Sequence, residues 1–125
     1  HSMYVADLLP PELRVEGLLH DAAEAYMGDM ITSLKKHCPD YREILDLWEV
    51  TVRVAFGLPA HPAPEVKAAV KRADIAALLA ERRDIFKDTN QYDEIEKPGR
   101  WTCLPKPPRE AKVYFLGYAA QLGIK

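Results

Sequence analysis

Residues 1–27, HSMYVADLLPPELRVEGLLHDAAEAYM, carry two apolar stripes on either side of a double proline. His1, Val5 and Leu8 stand at i, i+4 and i+7 with Tyr4 beside them, the spacing of one helix face. Pro10 and Pro11 end that helix, because proline lacks an amide hydrogen and restricts the residue before it. Pro11 also suits a first turn. Beyond it Val15, Leu18, Leu19, Ala22, Ala23 and Tyr26 form a second stripe that predicts one continuous helix up to Gly28-Asp29. So short a connection favours antiparallel neighbours. At about 1.5 Å of rise per residue, His1 lies roughly 12 Å before the turn and His20 a similar distance after it. The spacing therefore predicts two imidazoles at one height, where they can share a metal ion. A leading His-Ser is also what a cleaved affinity tag leaves, and under that reading the position of His1 carries no information.

Outward from this hairpin, MITSLKKH (residues 30–37) reads as a short helix closed before Pro39. From Asp40, a residue suited to capping, Ile44, Leu45, Trp48, Val52 and Val54 predict a long helix that stops at Gly57-Leu58-Pro59. PAHPAP (residues 59–64) is a rigid connector, since three prolines in six residues sustain neither a helix nor a central strand. EVKAAVKRADIAALLAERRDIF (residues 65–86) sets Val66, Ala69, Val70, Ala73, Ala77 and Leu78 on a stripe and is the clearest helix in the chain. Residues 87–107 have no sustained period and read as a long surface loop, with Tyr92 and Trp101 as core anchors or as platforms for a base. A closing helix starts near Pro108, with Val113, Leu116 and Ala120 on one face. The pattern predicts an all-α chain forming a single domain over residues 1–125.

Composition narrows the function classes. At 125 residues, 48% hydrophobic and 29% charged, the chain is large enough for one buried core without staples. A net charge of −2 offers no general attraction to a nucleic-acid polymer or to an anionic membrane. No apolar run reaches the roughly 20 residues a bilayer requires, and no secretory signal opens the chain. Cys38 and Cys103 stand apart with no CxxC pair, which fits a reduced, cytoplasmic setting. His37, Cys38 and His61 match no zinc spacing.

The chemistry concentrates at a few positions. Asp74 occupies a slot of an apolar stripe, four residues after Val70 and four before Leu78. A carboxylate there needs a partner, either a metal ion or a cation such as arginine, or it caps another helix. His20 and Asp21 are adjacent, with Glu24 one turn on, so the three form a compact polar cluster. A neutral imidazole beside an ionised carboxylate can bind one divalent ion.

Taken in order, HSMYVADLL, LLHDAAEAYMGD and VKRAD resemble the H…HD…D signature of HD-domain phosphohydrolases, most closely 5′-deoxynucleotidases and related nucleotide hydrolases of bacteria and phages. The likeness covers most of positions 1 to 85. It implies an HD-domain bundle of about five to six helices, with His1, His20, Asp21 and Asp74 as ligands of one divalent ion, whether manganese, cobalt, iron, zinc or magnesium. The family's acidic pair falls on Glu24 and Asp29, which would position the attacking water or move its proton. Lys35 and Lys71 stand where similar enzymes carry phosphate-binding residues. The family's helix before its first ligand has no counterpart here. The expected activity is release of phosphate from a (deoxy)nucleoside 5′-monophosphate. Its alternatives are a dNTP triphosphohydrolase and a non-catalytic metal- or nucleotide-binding module, and a homodimer is compatible with any of them.

Overall fold

The structure, a computed structural model, describes residues 1–86 and 102–124. Among these residues it holds seven α-helices, one short 3-10 turn and no strand: α1 (Ser2–Asp7), the turn Pro11–Leu13, α2 (Arg14–Leu18), α3 (Glu24–Met27), α4 (Thr32–Lys35), α5 (Pro39–Ala55), α6 (Pro64–Asp84) and α7 (Pro108–Gln121). The all-α expectation holds. The readings placed on Tyr92, Trp101 and most of the 87–107 loop lie outside the described residues.

The helix count exceeds the expected five to six, chiefly because the second helix does not run through. It stops at Leu18 and resumes at Glu24. The ring Nδ1 of His20 donates to the Gly17 carbonyl at 2.8 Å, the oxygen that a continuing helix would offer to the amide of Asp21. Tighter bonds from Ala22 N to Leu19 O and from Glu24 N to Asp21 O then carry the chain across the gap. The His-Asp pair therefore sits on a turn rather than on a helix face.

α1 is the hub. On one side Tyr4, Val5 and Leu9 pack against Ala73, Ala77 and Ala80 of α6. On another, Ala6 and Leu18 meet Ala119, with Phe115 and Tyr118 of α7 and Leu122 just past its end around them. The small residues of α6 let the two helices approach closely, and Gly17 does the same between α1 and α2. A β-carbon there would stand 2.6 Å from Leu9 Cδ1 and 3.0 Å from the Ala6 α-carbon. The antiparallel hairpin of the first two helices is thus set by a glycine as well as by the proline turn.

Three further expectations are corrected. α7 does not bury Val113, Leu116 and Ala120. Val113 and Leu116 are exposed, and the helix docks through Phe115, Tyr118, Ala119 and Leu122. Apolar residues surround this helix on every side, so periodicity could not single out the buried face. Likewise Leu78, Ile44 and Val54 face solvent, while Leu45 and Val52 carry the burial of α5. Finally, Cys38 rather than Asp40 precedes α5, because Pro39 takes the first helical position and pushes Asp40 into the first turn.

A buried ion pair locks the α5 end of the domain. Arg53 donates from both terminal nitrogens to the Glu16 carboxylate, at 2.5 and 2.9 Å, and from Nε to the Pro59 carbonyl at 2.7 Å. One guanidinium thereby ties α2, α5 and the proline-rich connector together. Among the described residues no helix is long and apolar enough to cross a membrane.

Candidate metal centre

Three separate elements deliver the chemistry to one point. His1 stands at the N-cap of α1, His20 and Asp21 on the turn between α2 and α3, and Asp74 midway along α6. His1 Nε2 lies 3.1 Å from Asp74 Oδ1, and His20 Nε2 lies 3.8 Å from the same oxygen. The two imidazole centroids are 5.4 Å apart. One donor atom from each of His1, His20 and Asp74 falls within 4.8 Å of the other two. Ligands sharing an ion at about 2.0 to 2.2 Å stand roughly 3 to 3.5 Å from one another, so the His1–Asp74 separation already matches a ligand pair and His20 has to close in slightly. Asp21 is not in this cluster of donor atoms but stands beside it, its Oδ2 being 3.0 Å from His20 Nε2.

His20 supplies the test of fit. Its Nδ1 carries the hydrogen given to Gly17, so in the neutral ring Nε2 bears a lone pair. That nitrogen is buried and makes no aligned hydrogen bond, although carboxylate oxygens of Asp21 and Asp74 are close. A lone pair facing two anionic oxygens repels them unless a positive charge lies between: a proton on the ring, or a metal ion. These side chains therefore fit a divalent cation.

The electrostatics agree. The Asp74 and Glu81 carboxylates push His1 up to about 10 against the cost of burial. Burial pulls His20 down, but Asp21 and Asp74 overcome it and hold the ring up at about 9. The two rings and Lys71 hold Asp74 far below the usual carboxylate range. A site with so strong an appetite for positive charge keeps its carboxylates ionised, the form that ligates metal, and holds protons on both rings that a metal ion has to displace.

Of the remaining residues singled out in the sequence, Lys71 is largely exposed and donates to Asp74 Oδ2 at 2.7 Å. Glu24, Asp29 and Lys35 are drawn into a group of their own, with Lys35 Nζ 2.6 Å from Glu24 Oε1 and 3.4 Å from Asp29 Oδ1. Tyr41 anchors that region by donating to the Gly28 carbonyl. A cavity of about 800 Å³ opens beside the centre, with His20, Asp21, Lys71 and Asp74 at one end and Glu49 and Lys67 among its other walls. Glu24, Asp29 and Lys35 are not among the described residues that line it.

Sequence reasoning missed Glu81. Its Oε1 lies 3.1 Å from His1 Nδ1. The available signal was its spacing, seven residues beyond Asp74 and hence on the same face of α6. Glu16 was also passed over, although a lone acid between Val15 and Leu18 asks for a partner as Asp74 does.

No model of a known protein family matches this chain. It is similar to the uncharacterized protein YfdR of Escherichia coli K12, 36% identical over 120 residues that cover 93% of this chain and 65% of that protein. It is also similar to an uncharacterized protein of Rhodobacter capsulatus, 38% identical over 94 residues that cover 68% of this chain and 47% of that protein. The chain thus spans 65% and 47% of the lengths of these two curated relatives.

Proposed function

We propose that this chain is a metal-dependent phosphohydrolase of the HD type that releases phosphate from a small nucleotide, a (deoxy)nucleoside 5′-monophosphate. The observation that carries the reading is the buried Nε2 of His20, without an aligned hydrogen bond and set among Asp21, Asp74 and His1 from three elements far apart in sequence. His1, His20 and Asp74, with Asp21 beside His20, would hold a divalent ion, which when bound would lower the pKa of a water and polarise a phosphoryl group.

The chain's own residues supply the rest. Lys71 donates to Asp74 Oδ2 and helps the two imidazoles keep that carboxylate ionised, and an ammonium has further N–H groups to offer a phosphate oxygen. Glu24 and Asp29, held by Lys35 in a group that does not line the cavity, are given the role of positioning the water or taking up its proton only by the family resemblance. The cavity is of the size that holds a small organic molecule. Along α6 it reaches from Asp74 back to Lys67, two helical turns or about 10 Å, enough room for a sugar and base beyond a phosphate at the ion.

The test is a panel of nucleotides incubated with the manganese-loaded chain, reading the phosphate species released. Orthophosphate from monophosphates supports the reading. Tripolyphosphate from deoxynucleoside triphosphates replaces it with a triphosphohydrolase. A chain that binds manganese yet hydrolyses no nucleotide is a binding module.

A further inference from the structure

Imidazole has two nitrogens, and only the one without hydrogen can ligate. Both histidines of the centre must therefore be told which nitrogen to present. For His20 the Gly17 carbonyl does this from three residues away. His1 has no such local acceptor: it caps α1 without a side-chain cap bond, and its ring is still a quarter exposed, 26%. Its Nδ1 instead meets Glu81 Oε1 at 3.1 Å. An ionised carboxylate only accepts, so Nδ1 donates to Glu81, while Nε2 faces Asp74 Oδ1, also at 3.1 Å, a contact that needs a second ring proton unless a metal ion takes its place.

We propose that Glu81 is the positioning residue of the metal centre, fixing the orientation and tautomer of His1 so that Nε2 faces the ion. The inference rests on the metal reading above. Its further support is the register of α6. Asp74 and Glu81 are seven residues apart on one rigid helix, so ligand and orienting group keep a constant separation whatever the neighbouring helices do. Glu81 is not in the cluster of donor atoms itself, which holds His1, His20 and Asp74. Its role is thus to act through the imidazole, an arrangement in which the outer carboxylate raises ligand basicity and holds the ring.

Cobalt(II) is the probe, because its visible absorption reports binding without any substrate. The full chain, Glu81→Gln and Glu81→Met are titrated with cobalt against a competing chelator, with circular dichroism to confirm helical content. Glu81→Met is expected to weaken cobalt binding about 10- to 100-fold, and Glu81→Gln, whose amide oxygen still accepts from Nδ1, to recover most of that loss. In a His1→Ala background, Glu81→Met is expected to cost nothing further, since the group it acts through is gone. Unchanged affinity in Glu81→Met would overturn the proposal. So would a Glu81→Gln loss equal to that of Glu81→Met that persists in the His1→Ala protein, which would make Glu81 a ligand in its own right. Absence of a cobalt band in the unaltered chain would instead remove the metal reading beneath it.

Discussion

His1 Nε2 and Asp74 Oδ1 stand 3.1 Å apart although 73 positions separate them in the chain. The docking of α1 on the alanine face of α6 makes that contact. The same packing that buries Tyr4, Val5 and Leu9 brings an imidazole to a carboxylate, so folding and site assembly are one event.

Removing a ligand should abolish metal and turnover together. His20→Ala and Asp74→Asn are expected to lose stoichiometric cobalt by elemental analysis and all phosphate release. Glu24→Gln is expected to keep the metal while turnover falls about 10²-fold. Retention of one cobalt per chain by both ligand variants would sink the assignment of His20 and Asp74.

Gly17 is predicted to be intolerant of any side chain. Gly17→Ala puts a β-carbon against Leu9 and the Ala6 backbone and should cost about 1 to 3 kcal/mol by urea melting, as overpacked contacts do. Gly117→Ala is the control: nothing lies near its added carbon, and the exchange within a helix should stabilise by about 0.5 to 1 kcal/mol. Equal stability of the two variants would argue against a close α1–α2 crossing.

The Glu16–Arg53 pair is predicted to matter through what its loss leaves behind. Their side chains are only 9% and 16% exposed, so Glu16→Gln strands a guanidinium in a poorly solvated place and should cost about 3 to 5 kcal/mol. Glu16→Leu combined with Arg53→Met removes both charges and should recover much of that. Chemical denaturation of the single and double variants gives the coupling directly, and simple additivity would show that the pair does not act as a unit.

Alkali should weaken the docking of α7. Burial raises Tyr118, and its donated hydrogen bond to Asp7 raises it further, to about 12 from an ordinary 10. The folded state therefore holds the phenol proton more tightly than the unfolded chain does. That contribution is whole below pH 10 and is lost as pH climbs from 10 to 12. Tyr118→Phe should flatten this part of the stability profile, followed as melting temperature against pH; an unchanged slope would contradict the assignment.

Helix formers, proline breaks and the glycine stop were readable from the chain because they act over a few residues. They determined an all-α fold with a hairpin at Pro10-Pro11. That His20 and Asp74 need partners was also legible, since an acid in an apolar stripe and an adjacent His-Asp pair are anomalies that local composition does not explain, and the hairpin set His1 at the height of His20. The break at residues 19–23 was not legible. It depends on a ring nitrogen taking the Gly17 carbonyl from the backbone, and periodicity registers apolar spacing rather than competition for an acceptor. The buried face of α7 stayed ambiguous for a related reason, being apolar all round until Ala6 and Leu18 selected Ala119 and its neighbours. Glu81 and Glu16 acquire meaning only from partners 80 and 37 positions away. Such pairings are decided by how helices dock, because hydrogen bonds and ion pairs act at a few ångströms in space, without regard to separation along the chain.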